Sequence, residues 1–246
     1  MTDPQSSFDL KFCFPVPDVL ESDRVKLVPF VPSLHAQAFV DATWPYPELF
    51  QNGGWGPFHD VKSVEELVEA YFTKDPGWLL FAVFDKTRPS SGNSDTEVMA
   101  GQVALINTSP INLCTEIGAV LVFPPFQRTH VASNAIGLLL KYTLNLPSHP
   151  SFPGLGLRRV VWQANYLNTG SVRIARRLGF QMEGILRWDR VLPLGKGRAV
   201  SNGKAGREGD PRAGCLGRDT ALFGLCWDDW ENGGRQKVEG EMTRER

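Results

Sequence analysis

The chain has 246 residues, of which 42% are hydrophobic and 22% charged, and this is enough to bury the core of one enzyme-sized domain. Lysine and arginine number 26 against 27 aspartate and glutamate residues, so no overall charge would draw the protein to nucleic acid or to an anionic membrane. No stretch reaches the roughly 18 to 20 apolar residues of a membrane-spanning helix, and the first residues lack a signal-peptide pattern. The sequence therefore predicts a soluble cytoplasmic protein with neither nucleic acid nor membrane as a partner.

The cysteines and histidines are too scattered to predict a metal site. The four cysteines lack C-x-x-C spacing and stand at Cys13, Cys114, Cys215 and Cys226. The four histidines form no i, i+4 pair and stand at His35, His59, His130 and His149. Free thiols and no bound metal are expected.

The first half of the chain predicts strands and helices in a mixed order after an N-terminal extension, residues 1–23. Apolar alternation predicts strands over Arg24–Phe30, Trp78–Phe84 and Glu97–Asn107. Helical spacing predicts helices over Ser33–Thr43 and from a capping box at Ser63 and Glu66. Lys86–Thr96 is typical of an exposed hairpin loop because it is rich in turn residues.

The second half adds more strands, a long helix around Ile136–Leu144 and a short helix over Gly170–Leu178 that ends at Gly179. The predicted strands are Thr115–Phe123, Leu157–Ala164, Gly184–Leu192 and Thr220–Trp227. This order favours an α+β domain with a mixed sheet over a doubly wound nucleotide fold. Two segments are expected to be flexible because they carry few large apolar residues, the insertion at 195–217 and the charged tail at 231–246.

A polar loop joins the fourth predicted strand to the long helix. Its residues are Gln127, Arg128, Thr129, His130, Val131, Ala132 and Ser133. Backbone N–H groups at the start of a helix have no intrahelical partner and lie at the positive end of the helix dipole, so a phosphate could bind there. An ordinary polar turn explains such a loop equally well when it is considered alone.

Several motifs in a fixed order resemble the GNAT superfamily of N-acetyltransferases. Gln127 and Ala132 fit the pattern Q/R-x-x-G-x-G/A, in which His130 takes the place of the first glycine. Downstream, Asn168-Thr169-Gly170-Ser171 precedes Arg177-Leu178-Gly179-Phe180 and the segment Glu183–Arg187. This series resembles the branch of bacterial ribosomal-protein alanine N-acetyltransferases and their fungal relatives. The resemblance runs from about the first strand to Trp230.

The resemblance implies a domain over 24–230 with a mixed, mostly antiparallel central sheet flanked by helices. It implies that the fourth and fifth strands splay apart and that acetyl-CoA enters the gap as co-substrate. The pantetheine arm would pair with the backbone of Val120, Leu121 and Val122 and receive a hydrogen bond from Asn168, while the amides of the loop from Gln127 to Ser133 would hold the pyrophosphate. Arg128 would add a charged contact to the phosphates or lie in solvent.

The resemblance also implies two catalytic residues. Glu116 stands where several family members carry a general base, and its alternative role is a half-buried glutamate paired with an arginine. Ser171 would stabilise the departing CoA thiolate, because Ala175 replaces the tyrosine that many members use, and its alternative role is a helix cap. No cysteine or serine has a histidine partner in motif context, so direct attack by the amine is expected.

The acceptor is expected to be a small-molecule primary amine, bound by a monomer or homodimer. In the superfamily the loop between the first two helices borders the acceptor pocket, and here Tyr46, Trp55 and Phe58 would form an aromatic wall. Polyamines, amino acids, amino sugars and other amines all remain open. Two alternatives also remain: a protein N-terminal acetyltransferase and a catalytically weak CoA-binding module.

Overall fold

The computed structural model describes residues 10–88 and 97–245, and eight strands in this part of the chain form one sheet with the order β1-β2-β3-β4-β5-β6-β8-β7. The strands are β1 (Leu20–Glu21), β2 (Val25–Pro29), β3 (Leu79–Asp85), β4 (Val98–Ser109), β5 (Cys114–Val122), β6 (Arg159–Asn165), β7 (Gln181–Val191) and β8 (Gly217–Cys226). All neighbouring pairs are antiparallel except β5 and β6. The expected α+β fold is confirmed.

Six α-helices accompany the sheet in the described residues. They are α1 (Pro32–Thr43), α2 (Val61–Val68), α3 (Val131–Leu144), α4 (Thr169–Arg177), α5 (Trp227–Asp229) and α6 (Arg235–Thr243). Helices α1 and α2 pack together, α3 packs on the middle strands and α4 packs on β6 and β7. Within the described ranges, no helix combines the length and the apolar character that crossing a bilayer requires.

The two central parallel strands separate after three residue pairs. Cys114 pairs with Arg159, and the last pair joins Glu116 to Val161. Beyond this point β5 continues to Val122 and β6 continues to Asn165 without further pairing to each other. The sheet therefore opens a cleft between these strands, and the acidic side chain of Glu116 stands where the cleft begins.

The C-terminal tail contains a helix that packs against the core. In α6, Val238 and Met242 are buried, and Asn134 of α3 donates a hydrogen bond from Nδ2 to the carbonyl oxygen of Met242 at 2.9 Å. Gly137 makes this approach possible, since a Cβ there would lie 2.4 Å from Met242 Sδ. The expected flexibility of 231–246 is corrected for α6, which an apolar pair spaced i, i+4, this hydrogen bond and the ion pairs Lys141–Glu239 and Arg177–Glu241 hold on the core.

Two further differences from the sequence expectations are local. The N-cap of α2 is Asp60, whose Oδ1 accepts from the Ser63 amide at 2.7 Å, so the capping box expected at Ser63 does not form. Strand β1 lies in the expected N-terminal extension and adds an edge to the sheet. Most of the predicted hairpin loop Lys86–Thr96 lies outside the described residues.

Candidate active site

Glu116 is buried at the start of the cleft and held by two amide side chains. It is 6% exposed, and its Oε2 accepts hydrogen bonds from Asn107 Nδ2 and Gln163 Nε2, each at 3.1 Å. Burial raises the pKa of Glu116 to about 7, although the bond from Asn107 and the charges of nearby arginines oppose this rise. A carboxylate with such a pKa exchanges a proton readily near neutral pH, as a general base must.

Charged and polar groups from β7 and β8 surround the approach to Glu116. Arg218 donates from Nε and Nη2 to Thr220 Oγ1 at 3.2 and 2.8 Å. Thr220 in turn donates to Asp189 Oδ2 at 2.7 Å, and Arg190 Nε lies 3.1 Å from the same oxygen. The charges of Arg190 and Arg218 lower the pKa of Glu116 and that of Asp189 raises it, so these groups share one electrostatic environment.

His130 replaces the first motif glycine without distorting the loop. Its φ of −69° and ψ of −19° are ordinary helical values, which any residue can adopt. The side chain is buried, and Nε2 lies 3.2 Å from Oδ1 of Asp85 at the end of β3. Burial lowers the pKa of His130, with Asp85 opposing the effect. His130 thus connects the loop between β5 and α3 to the end of strand β3.

The unusual backbone conformation of this loop falls on Arg128, whose φ is 62°. The amides of Arg128, His130 and Ala132 make no hydrogen bond within the described part of the chain. Val131 N donates to Thr129 Oγ1 at 3.3 Å, and Arg177 Nη2 donates to Ser133 Oγ at 3.2 Å. These three amides lie at the first turn of α3, where backbone N–H groups can donate hydrogen bonds to a pyrophosphate.

Gln127 has a structural contact within the loop. Its Nε2 donates to the carbonyl oxygen of Val122 at 3.1 Å, which closes the turn between β5 and α3. Val120, Leu121 and Val122 are partly exposed along the part of β5 that β6 leaves unpaired. Ala119, with φ of 49°, lies at the irregularity in the pairing of β4 and β5. An unpaired strand edge of this kind can bind an extended ligand through its backbone.

Asn168 and Ser171 come together at the start of α4. Asn168 is the N-cap, and its Oδ1 accepts from the Ser171 amide at 3.1 Å. The Ser171 hydroxyl is not the cap: its Oγ accepts from Trp162 Nε1 at 3.0 Å. This contact fixes the oxygen and leaves its proton available for donation, as the predicted interaction with a thiolate requires. The role of Ser171 stays a prediction.

The three aromatic residues of the predicted acceptor wall occupy different environments. Phe58 is 8% exposed and packs edge-on against Phe39 and Phe50 in the core. Trp55 is half-buried, with its ring centroid 5.1 Å from that of Tyr71, and it also contacts Phe72 and Trp78. Tyr46 is half-buried ahead of a short 3-10 turn. Packing is therefore the observed role of Trp55 and Phe58, and acceptor contact by all three residues stays a prediction.

Hydrogen bonds join the insertion between β7 and β8 to the α1–α2 loop and to β6. Lys196 Nζ donates to the Phe50 carbonyl oxygen in the α1–α2 loop at 2.6 Å, and Asn165 Nδ2 of β6 donates to the Val200 carbonyl oxygen at 2.6 Å. Val200 and Ser201 are buried. These two residues therefore contribute to packing although 195–217 carries few large apolar residues, whereas the flexibility of the segment stays a prediction.

Several residues of the site escaped the sequence analysis. Asn107 and Gln163 orient Glu116, Trp162 orients Ser171, and the charge of Arg218 acts on Glu116. Gln163 gave a detectable signal, because it is the single polar side chain within the apolar run Val160–Ala164. Asn107 gave no such signal, since its contact with Glu116 depends on how β4 pairs with β5.

Comparison with known proteins agrees with this fold. The family profile described as Acetyltransferase (GNAT) domain matches residues 24–181. A GCN5-related N-acetyltransferase from Brucella melitensis is 25% identical with a TM-score of 0.70, covering 93% of this chain and 88% of its own. No curated protein sequence matches significantly.

Two structures of lower identity share the fold. A spermidine N-acetyltransferase from Vibrio cholerae, solved with CoA and spermine, is 16% identical with a TM-score of 0.59, over 86% of this chain and 100% of its own. A protein assigned as a ribosomal-protein-serine acetyltransferase from Vibrio cholerae is 17% identical with a TM-score of 0.60, over 86% and 99%.

The cleft, the amide-rich loop and the family match define the class of protein. The chain belongs to the GNAT acetyltransferase family. It is an acetyl-CoA-dependent acetyltransferase, with acetyl-CoA as its co-substrate. The more specific resemblance to the alanine N-acetyltransferase branch remains an expectation.

Proposed function

We propose that the protein transfers an acetyl group from acetyl-CoA to the primary amine of a small molecule by direct attack in a ternary complex. The observation that carries this proposal is the buried carboxylate of Glu116, with its pKa near 7, at the start of the cleft between β5 and β6. An alkyl ammonium has a pKa of about 10.4, so the amine must lose a proton before it can attack. Glu116 is the group that accepts it.

The division of roles follows from the geometry. Asn107 and Gln163 hold one carboxylate oxygen of Glu116, which leaves Oε1 to receive the proton from the amine. The neutral amine then attacks the thioester carbonyl carbon, the carbon–sulfur bond breaks, and the second proton that the nitrogen loses goes to the CoA sulfur. Ser171 donates a hydrogen bond to the leaving thiolate while Trp162 fixes its oxygen.

The remaining contacts bind the co-substrate. The unpaired edge at Val120–Val122 would pair with the pantetheine arm, and Asn168 would donate a hydrogen bond to it. The amides of Arg128, His130 and Ala132, together with the rest of the loop from Gln127 to Ser133, would bind the pyrophosphate.

A small-molecule acceptor is favoured over a protein N terminus by the attachment of the β7–β8 insertion. A peptide needs an open groove, and here the contact between Lys196 and the Phe50 carbonyl oxygen connects the two loops that would border it. A small amine needs less space between these loops than a peptide backbone does.

The experiment is an acetylation assay with purified protein, acetyl-CoA and a panel of amines and peptides. CoA release is followed by thiol titration and the acetylated product by mass spectrometry. Product from small amines with the native protein, and little with Glu116→Gln, supports the proposal. Acetylation of peptide N termini alone would favour the protein-modifying alternative, and CoA binding without any product would favour the binding module.

A further inference from the structure

We propose that the acceptor carries an anionic group, a carboxylate or a phosphate, close to its primary amine, and that Arg218 binds this group with Arg190 beside it. The inference rests on the proposed transfer reaction and specifies its substrate class. It follows from the positions and partners of the charged groups around Glu116.

The pairing of the strands places Arg218 on the same sheet face as Glu116. Paired residues on neighbouring strands share a face, and so do alternate residues of one strand. Glu116 pairs with Val161, which shares its face with Gln163, and Gln163 pairs with Leu222 of β8. Arg218 lies four residues from Leu222 and therefore lies on that face as well.

Arg218 has capacity for an anion that the protein does not fill. Its side chain is half-buried, and its Nε and Nη2 both donate to the neutral hydroxyl of Thr220. No carboxylate lies within 4.0 Å of its nitrogens among residues 10–88 and 97–245. Burial lowers the pKa of Arg218, which reflects the loss of water around its charge. A half-buried guanidinium that has lost much of its water and has no carboxylate partner binds a carboxylate or phosphate strongly.

The local charge balance also favours an anionic acceptor over a polycation. Arg190 and Arg218 supply two positive charges, and Asp189 supplies one negative charge that both arginines share through direct and Thr220-mediated contacts. When Glu116 takes the proton of the amine it becomes neutral, so one positive charge remains in excess. A second ammonium group on the acceptor would be repelled, whereas an anionic group would balance the excess.

The test uses pairs of amines that differ only in the anionic group. β-Alanine is compared with β-alaninamide and O-phosphoethanolamine with ethanolamine, while putrescine represents the polycations. We expect kcat/KM to be at least 10-fold higher for the anionic member of one pair. The pair that shows the preference distinguishes a carboxylate from a phosphate. Equal or higher kcat/KM for the neutral members, or for putrescine, overturns the inference and leaves the transfer reaction intact.

Arg218→Met isolates the arginine. We expect it to raise KM for the preferred anionic amine at least 10-fold, with little change in KM for its neutral counterpart or for acetyl-CoA. Arg212→Met, which removes an exposed arginine from the insertion that precedes β8, is the matched control and should change none of these values. An equal loss on anionic and neutral amines assigns Arg218 a structural role and overturns the inference.

Two further outcomes are distinguishable. If Arg218→Met does not fold, the ratios measured for the native protein decide the matter alone. If no amine in the panel is acetylated although acetyl-CoA binds, both the inference and the proposed function are overturned.

Discussion

The Nε2 atom of His130 lies 3.2 Å from Oδ1 of Asp85, and both side chains are buried. This contact connects the first turn of α3 to the end of β3. Position 130 therefore serves the fold through its side chain, and its backbone amide stays available for the proposed contact with the co-substrate. The departure from glycine in the motif is compatible with acetyl-CoA binding for this reason.

His130→Ala should lower the free energy of unfolding by about 1 to 3 kcal/mol, because Asp85 loses a buried partner. The affinity for CoA should change by less than about threefold, since the amide of residue 130 is retained. Thermal denaturation and titration calorimetry measure the two quantities. A large loss of affinity in a variant of unchanged stability would place the imidazole in the phosphate site.

Arg128 should tolerate glycine better than alanine. Its φ of 62° costs an ordinary side chain about 1 kcal/mol and costs glycine almost nothing. Arg128→Gly should therefore be more stable than Arg128→Ala by about this amount in thermal denaturation. Both variants lose the charge, so an equal weakening of CoA binding in the two would assign Arg128 a phosphate contact, while unchanged binding in both would place its side chain in solvent.

Glu116→Gln should lower kcat strongly at neutral pH and less at alkaline pH, where the amine is deprotonated without assistance. The pH profile of kcat, measured with a saturating amine, checks this expectation. An equal loss at every pH would contradict the assignment of Glu116 as the base.

Glu116→Gln should lower kcat but raise the stability of the folded protein near neutral pH. Burial raises the pKa of Glu116 from 4.5 to about 7, so the folded state binds the proton more tightly than the unfolded state. The resulting stabilisation is present below pH 4.5 and is lost as pH rises through 7, which amounts to about 3 kcal/mol. Glu116→Gln should therefore gain stability relative to the native protein between pH 5 and pH 8. A constant difference across this range would contradict the raised pKa.

Trp55→Ala should lower the free energy of unfolding by about 3 kcal/mol, because its ring packs against Tyr71, Phe72 and Trp78. Trp44→Ala is the matched control, since that indole is 57% exposed, and it should change stability little. An increase in acceptor KM in the folded Trp55→Ala protein, with CoA affinity unchanged, would place Trp55 in the acceptor pocket. An unchanged acceptor KM would restrict Trp55 to packing.

Replacing the insertion 195–217 by a short Gly-Ser turn should leave CoA binding intact, because Lys196 and Val200 contact Phe50 and Asn165 and not the loop from Gln127 to Ser133. Loss of the Lys196 and Val200 contacts should raise the acceptor KM. Calorimetry with CoA and steady-state kinetics test both parts. Failure to fold would show that buried Val200 and Ser201 are needed for the core.

The sequence alone was sufficient for the class of fold, and the reason is local. Alternating apolar residues mark β3 to β6, helical spacing marks α1 and α3, and Gly179 marks the end of α4. These signals depend on residues close in the chain, so they survive without knowledge of the tertiary structure. The motif loop and Asn168 were related to acetyl-CoA only through the family resemblance.

The tertiary structure decided the surroundings of the reacting groups. Glu116 obtains its raised pKa from burial and its orientation from Asn107 and Gln163, which are 9 and 47 residues away in sequence. Arg218 reaches the same sheet face only because β8 inserts between β6 and β7. The helix α6 depends likewise on a close approach at Gly137. Burial, desolvation and contacts between distant strands are properties of the folded chain, and no local pattern encodes them.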